Sequence, residues 1–94
     1  MSIEVRVPTL LQKTVGGAKV VRGEGFTIVG LLNDLDRQYP GFKEKLVMQD
    51  GQLHKFVNIY VNDEDIRYLE KENTPIKDGD TISIVPSIAG GRNR

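Results

Sequence analysis

The chain has no cysteine, no tryptophan and a single histidine, His54. Without cysteine there is no disulfide, no thiolate metal site and no cysteine nucleophile. One histidine rules out a two-histidine zinc site and leaves a Ser-His-Asp set a single arrangement. Surplus charge is also missing: 13 Lys and Arg offset 13 Asp and Glu, which removes the basic footprint expected of a nucleic-acid binder. The longest unbroken apolar runs are two or three residues, too short for a membrane span or the core of a secretory signal. What is present is 94 residues, 38% of them hydrophobic, enough for one domain in which a sheet packs on a helix. The expectation is a small cytoplasmic protein that serves as partner to something larger.

The apolar pattern places the elements. Ile3, Val5 and Val7 alternate with Glu4 and Arg6, the period of a half-buried strand. Pro8 ends that strand, because proline cannot donate to a ladder. Leu10, Leu11 and Gly16-Gly17 read as a connecting turn, and a second strand over Ala18 to Arg22 closes a hairpin with a long loop. Thr27 is placed to cap a helix whose stripe is Ile28, Leu31, Leu32, Leu35 and Tyr39, with Asn33, Asp34, Asp36 and Arg37 opposite. Gly30 weakens that helix by ~1 kcal/mol relative to alanine, which points to close packing at that position. Pro40-Gly41 stops it. A short helical turn is expected over Phe42 to Leu46 and a turn at Gln49-Asp50-Gly51.

A third strand follows at Phe56 to Val61, with Val57, Ile59 and Val61 on one face and Phe56, Asn58 and Tyr60 on the other. Asn62 to Asp65 form a polar turn, Ile66 to Leu69 a short returning strand, and Asp78-Gly79-Asp80 a tight turn. The last strand is Thr81 to Val85, with Ile82 and Ile84 inward. Strand, strand, helix, strand, short strand, strand predicts a two-layer α+β domain. A helix crossing a mixed sheet of four to five strands after an N-terminal hairpin is the β-grasp arrangement, assigned to residues 1–86.

Few residue groups could carry chemistry. Asp63, Glu64 and Asp65 cluster near Glu70 and Glu72, and paired carboxylates can bind metal or shuttle protons. The run lacks the glycine and distant glutamate of a calcium loop, so it reads as a solvated turn, or else as an acidic edge that docks a basic partner. His54 beside Lys55 is expected in an exposed turn. Gly23-Glu24-Gly25 before a helix is shaped like a phosphate-binding turn but completes no dinucleotide or Walker spacing; it reads as a turn. Phe42, Phe56, Tyr60 and Tyr68 are assigned to core or sheet-face packing. No active site emerges, and the chain is expected not to be an enzyme.

Beyond Pro86 lies Ser87-Ile88-Ala89-Gly90-Gly91, then Arg92-Asn93-Arg94. Residues 87–94 are expected to form a narrow, flexible tail, as termini commonly do. A strand ending Ile84-Val85-Pro86, the pair Ile88-Ala89 and Gly90-Gly91 together resemble the ubiquitin-like sulfur carriers of the ThiS and MoaD family. Within that family the stretch from His54 to Arg67 is most similar to carriers of a thiocarboxylate-dependent cysteine pathway. Pro8-Thr9-Leu10-Leu11, Gly16-Gly17 and Asp78-Gly79-Asp80 add to the likeness, which covers nearly the whole chain.

The resemblance implies a substrate for other enzymes. The Gly91 carboxylate would attack the α-phosphate of ATP inside a ThiF/MoeB-like adenylyltransferase, and sulfur would then displace AMP to leave a thiocarboxylate. The family implies delivery of that sulfur to a pyridoxal-phosphate (PLP) cysteine synthase and release of the product by a JAMM-type zinc peptidase. ATP, PLP and zinc would thus belong to partners, with no metal or cofactor held by the chain, and neither nucleic acid nor membrane is implied. Ala89, Gly90 and Gly91 would enter the activating enzyme's channel, where a side chain at either glycine would clash and where glycine's backbone freedom is needed. The exposed sheet face would dock partners, with Phe56, Tyr60 and Ile88 as anchors.

Arg92, Asn93 and Arg94 depart from the family pattern, since Gly91 must bear the free carboxylate. They are expected to be a cleaved extension; if they were retained, only a binding module would remain. Removing them leaves 11 basic against 13 acidic groups, a charge of −2. The same resemblance admits two other roles: a MoaD-like small subunit of molybdopterin synthase, and a ubiquitin-like modifier joined to lysines.

Overall fold

The computed structural model describes residues 2–46 and 57–86. Chain order begins with strand β1 (Ile3–Arg6), helical turn α1 (Thr9–Gln12) and strand β2 (Val20–Gly23). Helix α2 (Ile28–Gln38) follows, then β3 (Val57–Val61), β4 (Glu64–Asp65) and β5 (Thr81–Pro86). The sheet order is β2-β1-β5-β3-β4. β1 runs antiparallel to β2 and parallel to β5, and β3 is antiparallel to both β5 and β4. The parallel pair at the centre requires a crossover, and α2 supplies it. Five strands in a mixed sheet under one main helix make the β-grasp fold.

Local chemistry accounts for each element. Thr27 is extended (φ −140°) and its side chain accepts from the Gly30 amide at 3.2 Å, which satisfies one of the free donors at the start of α2. Ile28, Leu31, Leu32 and Leu35 are all buried along one stripe of that helix. They meet the inward residues of every long strand: Ile3 and Val5, Val21, Val57, Ile59 and Val61, Ile82 and Ile84. Period 2 and period 3.6 thus converge on one core.

Four expectations need correction. The returning strand is not Ile66–Leu69; it is Glu64–Asp65, and Ile66–Tyr68 form a 3-10 turn. Asn62 and Asp63 take positive φ (49° and 81°), so the hairpin closes in two residues. Leu10 and Leu11 lie in a helical turn, where Leu11 is fully buried and Leu10 exposed; they do not form a plain turn. Gly30 is not the tight position. A Cβ there would sit 3.4 Å from Thr27 Oγ1, an ordinary contact, whereas one at Gly25 would lie 2.5 Å from the Leu31 amide nitrogen. The close approach to α2 therefore falls on the loop glycine. Finally, Phe42 is core, but Tyr68 is 85% exposed and packs neither the core nor the sheet.

Candidate functional site

Helix α2 covers one face of the sheet, and no element among the described residues covers the other. Alternation along each strand selects its residues: Glu4 and Arg6, Val20 and Arg22, Asn58 and Tyr60, Thr81, Ser83 and Val85 are all partly or fully exposed, while their neighbours are buried. The cross-strand register lines up Val20, Arg6, Ser83, Tyr60 and Asp65 in one row across the whole sheet. Tyr60 therefore lies near the centre of a polar surface, half-buried and on the side away from α2. The ambiguity over which face of β3 the helix packs is resolved by Val57, Ile59 and Val61, which are in the core.

Charges on this face are held by one another. The carboxylate of Glu4 lies between two guanidinium groups, 3.6 Å from Arg6 Nε and 3.7 Å from Arg22 Nη2. At the β4 edge, Asp65 is buried and Arg67 wraps back onto it. The Arg67 amide donates to Asp65 Oδ1 at 2.8 Å, Nη2 donates to Oδ2 at 2.7 Å and Nε donates to Oδ2 at 3.1 Å. Those side-chain hydrogen bonds hold the Asp65 carboxyl below its ordinary range and raise Arg67 above its own. Sequence reasoning missed this pair, although Asp65-Ile66-Arg67 is the signal that could have found it.

The acidic run is thereby divided. Asp65 is a buried structural anchor, while Asp63, Glu64 and Glu70 remain exposed. Among the described residues, no group of three or more His, Asp or Glu side chains is arranged to hold a metal ion. The reading of the run as a solvated turn therefore fails at Asp65, which is buried, and at Glu64, which is exposed but pairs with Val61 in β4.

Gly23 and Gly25 have a packing reason: a Cβ at Gly23 would come 2.8 Å from Leu31 Cδ1, and Gly25 presses on the α2 backbone. The Gly23-Glu24-Gly25 turn is shaped to admit the helix. No helix among the described residues is long and apolar enough to cross a membrane.

β5 ends at Pro86, opposite Val57, at the end of the sheet where Asn58 and Val85 face outward. Phe56, Ile88, Ala89, Gly90, Gly91, Arg92, Asn93 and Arg94 lie outside the described residues, as do His54 and the Gln49-Asp50-Gly51 turn. Of the three proposed docking anchors, Tyr60 is the one whose position is described.

Comparison with known proteins adds to this geometry. The sulfur carrier protein CysO of Mycobacterium tuberculosis is 44% identical over 93 residues, spanning 97% of this chain and all of that protein. Its crystal structure superposes with a TM-score of 0.87 at 42% identity, covering 90% of this chain and 98% of that one. The Amycolatopsis orientalis BexX/CysO complex contains a chain that matches with a TM-score of 0.88 at 40% identity, covering 95% and 99%. The ThiS family model matches residues 5–91. A β-grasp fold, near-complete coverage by these relatives and a family match that extends to Gly91 together place the chain in the ThiS family.

Proposed function

We propose that this chain is a cytoplasmic sulfur carrier whose working end is Gly91, exposed by removal of Arg92, Asn93 and Arg94. The observation that carries the reading is the 44% identity to a sulfur carrier protein across 97% of the chain. The family match that reaches Gly91 supports the choice of residue.

The chemistry asks little of the carrier. A ThiF/MoeB-like adenylyltransferase brings ATP, and a Gly91 carboxylate oxygen bonds to the α-phosphorus as pyrophosphate leaves. A sulfur nucleophile then forms a bond to the Gly91 carbonyl carbon, and AMP departs. The resulting thiocarboxylate supplies sulfur to a PLP-dependent cysteine synthase, and a JAMM-type zinc peptidase releases the product. The carrier contributes a slim terminus and a docking surface. Tyr60 is proposed as an anchor because aromatic side chains near the centre of a polar face are common binding hot spots; Phe56 and Ile88 are proposed beside it.

The test is sulfur loading in vitro. The chain truncated after Gly91 is incubated with ATP, sulfide and the adenylyltransferase of its own organism, and intact mass is measured. One oxygen is expected to be replaced by sulfur in the truncated chain, with no change in the 94-residue form. A truncated chain that never gains sulfur would overturn the reading. Gly91–lysine conjugates in cell extract with no thiocarboxylate would favour a protein modifier, and co-purification with a molybdopterin synthase large subunit would favour that complex. Protein from its native cell that still carries Arg94 would overturn the trimming step.

A further inference from the structure

Among the described residues β2 is one of the two edge strands of the sheet, with β4 at the other end, and an outer edge is a template for a further strand. Which of its backbone groups face outward follows from the ladder. The Val7 amide donates to the Lys19 carbonyl at 2.8 Å, one step beyond the Arg6–Val20 pair. Hydrogen-bonded and non-hydrogen-bonded pairs alternate in an antiparallel ladder. Val5–Val21 and Ile3–Gly23 therefore bond to each other, and Val20 and Arg22 turn their N–H and C=O groups away from β1. Among the described residues no strand pairs with this edge, and Val20 on it is 46% exposed.

Two polar side chains of α2 reach over this edge. Gln38 Nε2 donates to the Arg22 carbonyl at 3.1 Å and to Asp34 Oδ2 at 2.9 Å. Asp34 Oδ2 accepts from the Glu24 amide at 3.0 Å, and Arg37 pairs with the other carboxylate oxygen. Four residues apart, Asp34 and Gln38 share one face of the helix, so one turn of α2 occupies the last outward acceptor of β2 and the amide that follows it. The Glu24 amide, then Gln38 and Arg37, hold the Asp34 carboxyl below its ordinary range.

We propose that the outer edge of β2 is a strand-addition surface for a second copy of this chain, and that the Asp34–Gln38 clamp keeps it shut. The edge is self-complementary. With two copies antiparallel about Val21, Val20 of each faces Arg22 of the other and the outward groups form four hydrogen bonds. Two of those four need an Arg22 carbonyl, one from each copy, and Gln38 already holds it. The clamp removes half of the pairing and so keeps the chain monomeric. This inference does not depend on the sulfur-carrier reading.

Gln38→Met keeps the length and helix preference of the side chain but deletes the donor. In sedimentation equilibrium the native chain is expected to run at its 10.5 kDa monomer mass. Gln38→Met, alone or with Asp34→Ala, should associate to twice that mass at least ~10-fold more tightly than the native chain, as expected when two carbonyls regain strong partners. In the dimer the Val20 and Arg22 amides should become protected from hydrogen exchange. Val20→Pro added to the variant should restore the monomer, because that N–H lies outside the β1–β2 ladder and proline is tolerated on such an edge. Circular dichroism checks that each variant folds; if the double variant unfolds, the single Gln38→Met decides. A folded Gln38→Met chain no more associated than the native one would overturn the proposal, as would a dimer that survives Val20→Pro.

Discussion

Asp65 is the residue where a plain sequence feature acquires a definite job. Its Oδ1 accepts from the Arg67 amide and so caps the 3-10 turn that follows β4. Asp65→Ala is expected to destabilise the fold by about 1–2 kcal/mol, the usual cost of losing a side-chain cap. The ion pair itself adds little to that figure, because the Arg67 side chain is 56% exposed and screened. The folded carboxyl titrates below its ordinary value of 3.8, so the unfolded chain takes up the proton first. The contribution is therefore complete above that value and is lost as pH falls through the lower, folded one. Urea unfolding of the native and Asp65→Ala chains should show a gap that is constant at neutral pH and shrinks through that acidic window.

At the scale of elements, the packing of α2 against the loop before it decides two glycines in opposite ways. Gly25→Ala would drive a Cβ to 2.5 Å from the Leu31 amide nitrogen, a backbone atom that cannot rotate aside. It should cost about 1–3 kcal/mol, as overpacking does. Gly30→Ala meets only ordinary contact at 3.4 Å and should stabilise the chain by ~0.5–1 kcal/mol through helix propensity. Thermal unfolding of the two variants should therefore shift in opposite directions. The helix itself was legible from Thr27 and the stripe Ile28 to Leu35, because local periodicity and a cap suffice to specify it. The tight glycine was not, since the Gly25–Leu31 approach depends on how the loop folds back over the helix.

For the whole molecule, the one-sided cover of the sheet separates stability from recognition. Residues facing α2 hold the fold together, and those on the opposite face are the ones proposed to meet a partner. Tyr60→Ala should leave the melting temperature almost unchanged while raising the KM for sulfur loading by about 10-fold or more, with kcat preserved, as loss of a docking anchor would. Steady-state kinetics with the truncated chain and its adenylyltransferase measure this. A fall in stability to match the kinetic loss would instead make Tyr60 a packing residue.

Alternation in β1, β3 and β5, the capped stripe of α2 and the Gly-Gly near the end of the chain were readable because each depends on residues close in sequence. They determined the α+β class, the order of elements and the family resemblance. The zero net charge and missing cysteine pointed away from nucleic acid and from thiol chemistry. Tertiary structure alone decided what depends on distant contacts. It set the face of β3 that packs on α2, drew Asp65 out of the acidic run, put the close packing at Gly25 and brought Asp34 and Gln38 to the edge of β2. Periodicity gives a strand two faces without saying which one the helix will cover, and a polar side chain finds its partner only once the chain has folded.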